Sequence, residues 1–375
     1  KAFTNSTAAG YGSYAANNST SSGDSSWANN NSTATGYNST ANTNSNASGN
    51  DRKAYNDSVA SGNSSFAYNN STASGYNSTA SGNSTASGYN SSAFTNSTAA
   101  GNDSYAANNS TASGNSSFAN TNSTATGYNS TATKNSTASG NDSSAYNASV
   151  ATGNSSSAIN NSTASGYKST AADNSTASGY GSSAFNNSTA SGYSSYAANN
   201  STASGDGSSA NNNSTATGYG STANFNSTAT GYKSAAYHAS TAPGNGSYAD
   251  TKSDAIGNYS TAKDHSVAIG YKSYANDYGV ATGYYSKASG ASSVATGDHA
   301  YATGDSSTAT GEWSYAKGDN STATGYQSYA SGKNSTATGN YSYATGKNST
   351  ATGNFSYAYG NNSTATGNYS KANTN

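Results

Sequence analysis

The three histidines are the residues best suited to acid–base or metal chemistry in this chain, and their neighbours in sequence support neither. His238, His265 and His299 stand in no spacing that would bring two metal ligands together. Acidic residues occur singly in turns, as at Asp24 and Asp103, where Asp is an ordinary turn former. Serine recurs as part of a repeat, and no Ser has a plausible His–Asp pair nearby. We therefore expect no catalytic residue, no metal site, no cofactor and no enzymatic activity.

Pairs of threonines separated by one residue are suited to surface recognition. As Thr-x-Thr or Thr-x-Ser they recur through most of the chain. The candidate binding or interface positions are Thr33, Thr35, Thr124, Thr126, Thr215, Thr217, Thr228, Thr230, Thr308, Thr310, Thr322 and Thr324. Three interpretations stay open: β-branched residues that only favour strands, a face buried between subunits, or a dedicated ligand face such as one for ice.

Tyrosines form a second periodic set. Tyr301, Tyr315, Tyr329, Tyr343 and Tyr357 are 14 residues apart, and a second series, including Tyr11 and Tyr37, follows turn glycines. On strands stacked at about 4.8 Å such a column forms an aromatic ladder. It would serve either lateral packing within the surface or adhesion to carbohydrate or protein.

Glycine and alanine reveal the elements that position these side chains. Gly10, Gly23 and Gly36 begin a series with a step of 13 that runs unbroken to Gly283, and from Gly290 the step is 7. Alanines alternate steps of 6 and 7, nearly all with a Ser two residues before. Each unit is therefore Ser-x-Ala-x, a turn, a second Ser-x-Ala-x and a second turn.

The period-2 pattern predicts short strands with Ser and Ala facing inward. The fold class is all-β: a parallel β-solenoid, or flattened β-roll, with two short strands per coil. We expect 13-residue coils over residues 1–288 and 14-residue coils over 289–375, continuous as one structural unit. Asn ladders in the turns should add stability. Arg52 occupies a Ser position, where we expect a local bulge.

Composition narrows the function. The chain has a formal net charge of -1, no Cys and only 8% charged residues, so it lacks the electrostatic footprint of a nucleic-acid-binding protein. No segment is apolar enough to span a membrane. Asn-x-Ser/Thr sequences are frequent, which makes Asn5, Asn31 and Asn70 candidate glycosylation sites.

Both chain ends stand in repeat phase, at residues 1–5 and 371–375. A terminal coil without a cap exposes unpaired backbone groups. We therefore expect uncapped first and last coils, with long filaments or a longer parent polypeptide.

Two segments resemble a known family. Residues 266–275, Ser-Val-Ala-Ile-Gly-Tyr-Lys-Ser-Tyr-Ala, and residues 307–318, Ser-Thr-Ala-Thr-Gly-Glu-Trp-Ser-Tyr-Ala-Lys-Gly, resemble the head repeat of YadA-like trimeric autotransporter adhesins. The similarity is specific over about 253–372 and looser elsewhere. It implies a left-handed parallel β-roll, three chains side by side, and binding to host matrix or surfaces. Val267 and Ile269, with Thr308 and Thr310, would then face the trimer axis.

We accordingly expect an extracellular, cell-surface protein that forms a surface filament or adhesin head and binds through its Thr/Ser and Tyr rows. The alternative is an ice-binding β-solenoid that uses the Thr-x-Thr face. Expected partners are further copies of the chain, as a homotrimer or an end-to-end filament, and host matrix, carbohydrate or ice. Neither nucleic acid nor a membrane span is expected.

Overall fold

The computed structural model describes residues 1–373, so the last two residues of the expected uncapped final coil lie outside the described part. The chain divides into two compact units, unit 1 (Lys1–Asn186) and unit 2 (Asn187–Asn375). In each unit, strands of two or three residues alternate with tight turns, and neighbouring strands pair in parallel. Each unit is an all-β parallel β-solenoid with two strands per coil, as the repeat predicts.

Two sheets run along each unit, and we name them by their most characteristic outward residues. The threonine sheet of unit 1 consists of Thr7–Ala9, Thr20–Ser22, Thr33–Thr35, Asn46–Ser48, Val59–Ser61, Thr72–Ser74, Thr85–Ser87, Thr98–Ala100, Thr111–Ser113, Thr124–Thr126, Thr137–Ser139, Val150–Thr152, Thr163–Ser165 and Thr176–Ser178. The aromatic sheet of unit 1 consists of Tyr14–Ala16, Trp27–Asn29, Thr40–Asn42, Lys53–Tyr55, Phe66–Tyr68, Thr79–Ser81, Ser92–Phe94, Tyr105–Ala107, Phe118–Asn120, Thr131–Thr133, Ser144–Tyr146, Ser157–Ile159, Thr170–Ala172 and Ser183–Phe185.

Unit 2 has the same two sheets. Its threonine sheet consists of Thr189–Ser191, Thr202–Ser204, Thr215–Thr217, Thr228–Thr230, Thr241–Pro243, Asp254–Ile256, Val267–Ile269, Val280–Thr282, Val294–Thr296, Thr308–Thr310, Thr322–Thr324, Thr336–Thr338, Thr350–Thr352 and Thr364–Thr366. Its aromatic sheet consists of Tyr196–Ala198, Ser209–Asn211, Thr222–Asn224, Ala235–Tyr237, Tyr248–Ala249, Thr261–Ala262, Tyr274–Ala275, Lys287–Ala288, Tyr301–Ala302, Tyr315–Ala316, Tyr329–Ala330, Tyr343–Ala344, Tyr357–Ala358 and Lys371–Ala372.

The second residue of almost every strand is an alanine that faces the inside of the coil. Ala34 and Ala41, on the two sheets of one coil, are both completely buried, as are nearly all their equivalents, whereas Ala8 and Ala372 in the first and last coils are half-buried. Strand register follows the sequence period: Ala268 pairs with Ala281, 13 residues on, and Ala281 pairs with Ala295, 14 residues on. Since a strand alternates its side chains between two faces, burying the alanine directs both flanking residues outward.

Asparagines stack in the turns, as the sequence predicts. Asn147 and Asn160 have positive φ angles of 55° and 58°, a left-handed conformation that Asn tolerates well. The Asn147 amide donates to the Asn160 side-chain oxygen at 2.8 Å, and Asn160 donates in turn to Asp173 at 2.8 Å. These ladders join side chains of successive coils and reinforce the backbone pairing.

Buried serines have two structural roles in the 13-residue coils. On the threonine sheet the hydroxyl donates to the carbonyl two residues earlier and accepts the backbone N–H of the next coil's serine, as Ser32 does with Asn30 and Ser45 at 3.2 Å each. On the aromatic sheet the hydroxyl donates to the turn glycine three residues earlier, as from Ser39 to Gly36 at 3.1 Å. Both arrangements satisfy hydroxyls that burial removes from water.

The 14-residue coils of unit 2 lose one of these arrangements. The hydroxyls of five consecutive threonine-sheet serines are buried without a hydrogen-bond partner within the described coils: Ser293, Ser307, Ser321, Ser335 and Ser349. Here the longer turn brings the glycine carbonyl to the serine backbone N–H, at 3.1 Å for Ser321 and Gly318. The aromatic-sheet serines keep their bond, for example Ser328 to Gly325 at 3.0 Å.

This difference predicts opposite effects for two equivalent substitutions. Ser328→Ala should lower the free energy of unfolding by about 1 kcal/mol, because Gly325 loses a donor. Ser321→Ala should raise it by about 1 kcal/mol, because it removes a buried hydroxyl with no partner. Urea denaturation midpoints of the two variants test this. An equal loss of stability in both would contradict the assignment.

Arg52 is accommodated without disturbing the strand pairing. Lys53, the first residue of its strand, pairs in register with Thr40 and Phe66, and the Arg52 carbonyl accepts the Thr40 N–H at 2.7 Å. The predicted bulge is therefore wrong for the strand. The distortion lies in the turn, because a Cβ on Gly49 would meet the Arg52 guanidinium instead of a carbonyl of the next coil.

Candidate binding faces

The candidate threonines all lie on the outward side of the threonine sheet. In unit 1, Thr33 is exposed, whereas Thr35, Thr124 and Thr126 are half-buried. In unit 2 the exposed positions are Thr215, Thr217, Thr228, Thr230 and Thr310, and the half-buried ones are Thr308, Thr322 and Thr324. The local cause is the buried alanine between each pair, which directs both threonines to the surface.

Strand register aligns these threonines in two columns. Thr215 pairs with Thr228 and Thr217 with Thr230. Further along unit 2, Thr308 pairs with Thr322 and Thr310 with Thr324. Adjacent coils therefore present methyl and hydroxyl groups at the regular strand spacing of about 4.8 Å. Such a surface can contact a flat, regular partner through many equivalent weak interactions.

An aliphatic patch interrupts the threonine sheet of unit 2. Val267 pairs with Val280, which pairs with Val294, and in the second column Ile256 pairs with Ile269. Ile256, Ile269 and Val280 are 41%, 39% and 36% exposed. Contiguous apolar side chains on an outward face commonly mark an interaction surface.

The five predicted ladder tyrosines stand on successive strands of the aromatic sheet of unit 2. Tyr301 and Tyr315 stack with ring centroids 5.0 Å apart and an interplanar angle of 6°, and Tyr343 and Tyr357 stack at 5.4 Å and 19°. Tyr329 breaks this regularity, since its ring is tilted by 49° to Tyr315 and by 35° to Tyr343. The ladder therefore exists but opens at its middle tyrosine.

Two phenols of the ladder have a raised pKa. Burial, with the nearby Tyr301, raises the pKa of Tyr315 above its ordinary value. Burial, with Tyr357 and other neighbouring tyrosines, likewise raises the pKa of Tyr343. At physiological pH these hydroxyls are neutral and can both donate and accept hydrogen bonds.

A second aromatic column, which the sequence reasoning did not single out, lies in the turns of unit 2. Its members stand two residues after a turn glycine, at Tyr285, His299, Trp313, Tyr341, Phe355 and Tyr369. His299 and Trp313 stack 4.0 Å apart, and Tyr341, Phe355 and Tyr369 stack at 4.8 Å and 5.1 Å. The sequence signal for this column was the aromatic or histidine residue that stands two positions after most of these turn glycines.

Lysines lie over several tyrosine rings of unit 2. Lys272 is 5.2 Å from the Tyr271 centroid and 4.9 Å from that of Tyr285. Lys287 lies 5.8 Å from Tyr274. The aromatic surface therefore already makes cation–π contacts within the chain.

Two of the three histidines contact an aspartate. His238 pairs with Asp250 at 2.8 Å, and His299 contacts Asp298 beside it. Burial acts to raise the pKa of Asp250, but hydrogen bonds from His238 and the Thr251 backbone outweigh it and lower the value. In residues 1–373 no three His, Asp or Glu side chains gather as metal ligands.

The candidate glycosylation positions Asn5, Asn31 and Asn70 are all exposed turn residues with positive φ. Asn31 is part of an Asn ladder, since it accepts from Asn18 at 3.3 Å and donates to Asn44 at 3.4 Å. A glycan on that nitrogen would replace one of its two hydrogens and leave one N–H to donate.

Comparison with known proteins points to one family. The model of the YadA head domain repeat (2 copies) matches residues 69–91, 263–286, 276–300, 288–311, 302–328, 316–342 and 344–370. No curated protein sequence matches the chain. Among solved structures, the collagen-binding domain of the Yersinia adhesin YadA is similar, with 29% identity, a TM-score of 0.25, and coverage of 38% of this chain and 70% of that one. No helix in the described part of the chain is long and apolar enough to cross a membrane. The matched residues show that the chain carries YadA-type head repeats.

Proposed function

We propose that the chain is an adhesive head of an extracellular, cell-surface protein. Copies of it associate side by side through the threonine sheet, and host matrix or another surface is bound through the aromatic faces. The function is repetitive contact and not catalysis. The YadA-type head repeats support this assignment, and they cover most of residues 263–370.

The exposed aliphatic patch carries the self-association part of the proposal. Ile256, Ile269 and Val280 lie on one outward face at adjacent strands, where water would otherwise cover them. Burying such side chains is favourable at about 25 cal/mol per Å² of apolar surface. The neighbouring threonines carry no charge, whereas the exposed Asp254 pairs with Val267 and places a carboxylate at one edge of the patch.

Charge placed on this sheet is expected to dissociate the assembly. A variant with four lysines on the threonine sheet should sediment at the monomer mass of 37.0 kDa, whereas the parent should have a multiple of that mass. This variant combines Thr124→Lys, Thr126→Lys, Thr215→Lys and Thr217→Lys. A like charge on every copy repels across an interface and must also be desolvated there. Analytical ultracentrifugation measures the result.

A matched control places the same charges on the other sheet. The control variant combines Thr131→Lys, Thr133→Lys, Thr222→Lys and Asn224→Lys. These positions lie on aromatic-sheet strands close in sequence to the four threonines, and the variant should keep the mass of the parent. A parent that is monomeric, or a threonine-sheet variant that keeps the parent mass, would argue against association through this sheet.

Ice binding is the second candidate function. The observation that favours it is the pair of in-register Thr columns, exposed at Thr215, Thr217, Thr228 and Thr230. The same two variants distinguish the candidates. If the parent is a monomer that shapes ice crystals and only the threonine-sheet variant loses this property, the ice-binding function replaces the adhesive one.

A further inference from the structure

A groove lies between the two aromatic columns of unit 2, at the point where both are interrupted. Trp313, Tyr315, Gln327, Tyr329 and Tyr343 line it, and its volume is about 200 Å³. In the turn column, Gln327 stands where a neighbouring coil has Trp313 or Tyr341. In the strand column, Tyr329 is the ring that tilts away from its neighbours.

We propose that this groove binds a pyranose ring of a neutral glycan. The proposal rests on the adhesive function above and names the class of ligand that one part of the aromatic surface takes. Four features of the groove support this ligand over others: its aromatic walls, its polar groups, its lack of charge and its size.

The walls suit the faces of a sugar. Three tyrosines and one tryptophan present ring faces and edges, and the C–H face of a pyranose packs favourably against the electron-rich face of an aromatic ring. Trp313 is 37% exposed, although one side of its ring stacks on His299. The tilt of Tyr329 separates its ring from those of Tyr315 and Tyr343, at centroid distances of 6.2 Å and 5.8 Å.

The polar groups suit sugar hydroxyls. The amide nitrogen of Gln327 donates to the Tyr326 hydroxyl at 3.0 Å, which leaves the amide oxygen as an acceptor. The phenol hydroxyls of Tyr315 and Tyr343 can donate and accept hydrogen bonds. A few polar groups among apolar walls are the usual composition of a small-molecule site.

The charge and the size of the groove further limit the class of ligand. None of the five lining residues is a Lys or Arg, so the walls offer no ion pair to an anionic ligand. Drug-sized ligands occupy pockets of about 300–1,000 Å³, and this groove is smaller, so it accommodates a single ring. A second hollow with Thr303 and Lys317 in its walls shares Tyr315 and Tyr329 with the groove. A longer glycan can therefore extend from the groove, past Tyr315 and Tyr329, into this second hollow.

Fluorescence of Trp313 provides a direct test. The chain has two tryptophans, so Trp27→Phe leaves Trp313 as the only reporter. This protein is first screened on an array of neutral oligosaccharides, and each sugar that binds is then titrated in solution. At least one neutral oligosaccharide is expected to bind and to change the Trp313 emission.

Two variants and one control locate the site. Tyr329→Ala should weaken binding about tenfold or more. Gln327→Tyr should abolish it by filling the gap, and the position tolerates Tyr because Tyr341 adopts the same φ of 51°. Tyr357→Ala removes a ring from the same ladder outside the groove and should bind like the parent.

Three results would overturn the proposal: no response across the array, binding unaffected by Tyr329→Ala and Gln327→Tyr, or a Trp313 response to choline chloride and to no sugar. The last would assign the groove to a quaternary ammonium ion, which aromatic cages also recognise. Oligomer mass and attachment of the protein to matrix-coated surfaces are measured separately. If those persist without sugar binding, only the glycan inference fails.

Discussion

Gly205→Ala is expected to lower the free energy of unfolding of unit 2 by about 3 kcal/mol, from backbone strain and overpacking together. Gly205 has a φ of 123°, which a residue with a side chain rarely adopts. An alanine Cβ there would lie 2.7 Å from the carbonyl carbon and oxygen of Gly218 in the next coil. The neighbour that would have to move is backbone within the stacked coils, so relaxation at one coil disturbs the next.

A second glycine of the same turn provides the control. Gly207 has a φ of 65°, and its nearest neighbours to an added Cβ are 4.0 Å away, in Gly220. Asn occupies the equivalent position at Asn77 and Asn129 with similar φ angles. Gly207→Asn should therefore change stability by less than about 0.5 kcal/mol. Urea denaturation of both variants checks this, and a Gly205→Ala protein as stable as Gly207→Asn would refute the packing argument.

The coil could be predicted from sequence because each inward position admits few residue types. Ala34 and Ala41 must be small because a second sheet lies directly opposite, and Gly205 must be glycine because its backbone lies against the next coil. These constraints repeat with the coil, so spacing and residue type together identify strand, turn and register.

The candidate sites were less predictable because outward positions are less constrained. The Tyr301–Tyr357 column follows from spacing, but the tilt of the Tyr329 ring, by 49° to Tyr315 and 35° to Tyr343, does not. The loss of partners for the Ser321 hydroxyl depends similarly on turn geometry, since Ser321 and Ser328 stand in the same Gly-x-x-Ser pattern. The sequence period predicts which residues of successive coils are adjacent, but it does not predict how their side chains are oriented.

Arg52→Ser is expected to stabilise unit 1 by about 2 kcal/mol, the cost of a buried polar group left without a partner. Arg52 is only 9% exposed, and its Nε has no hydrogen-bond partner among the described residues. Burial also lowers the pKa of the guanidinium, which reflects the unfavourable surroundings of the cation. Serine at this position should donate to Gly49, because Ser39 and Ser65 donate to their own turn glycines at 3.1 Å and 3.0 Å.

Hydrogen exchange at the backbone amide of Gly62 provides a second, local test of this prediction. From Gly23 to Gly179 the described turn glycines of unit 1 donate their N–H to the preceding coil, except Gly62. The guanidinium lies where the carbonyl of Gly62 would otherwise approach Gly49, as Gly75 approaches Gly62. Arg52→Ser should therefore slow hydrogen exchange at the Gly62 amide as well as raise the urea midpoint. Lys53→Ser removes the same charge from the exposed neighbour and should do neither. If Arg52→Ser leaves both the midpoint and the Gly62 exchange rate unchanged, the buried guanidinium does not weaken this coil.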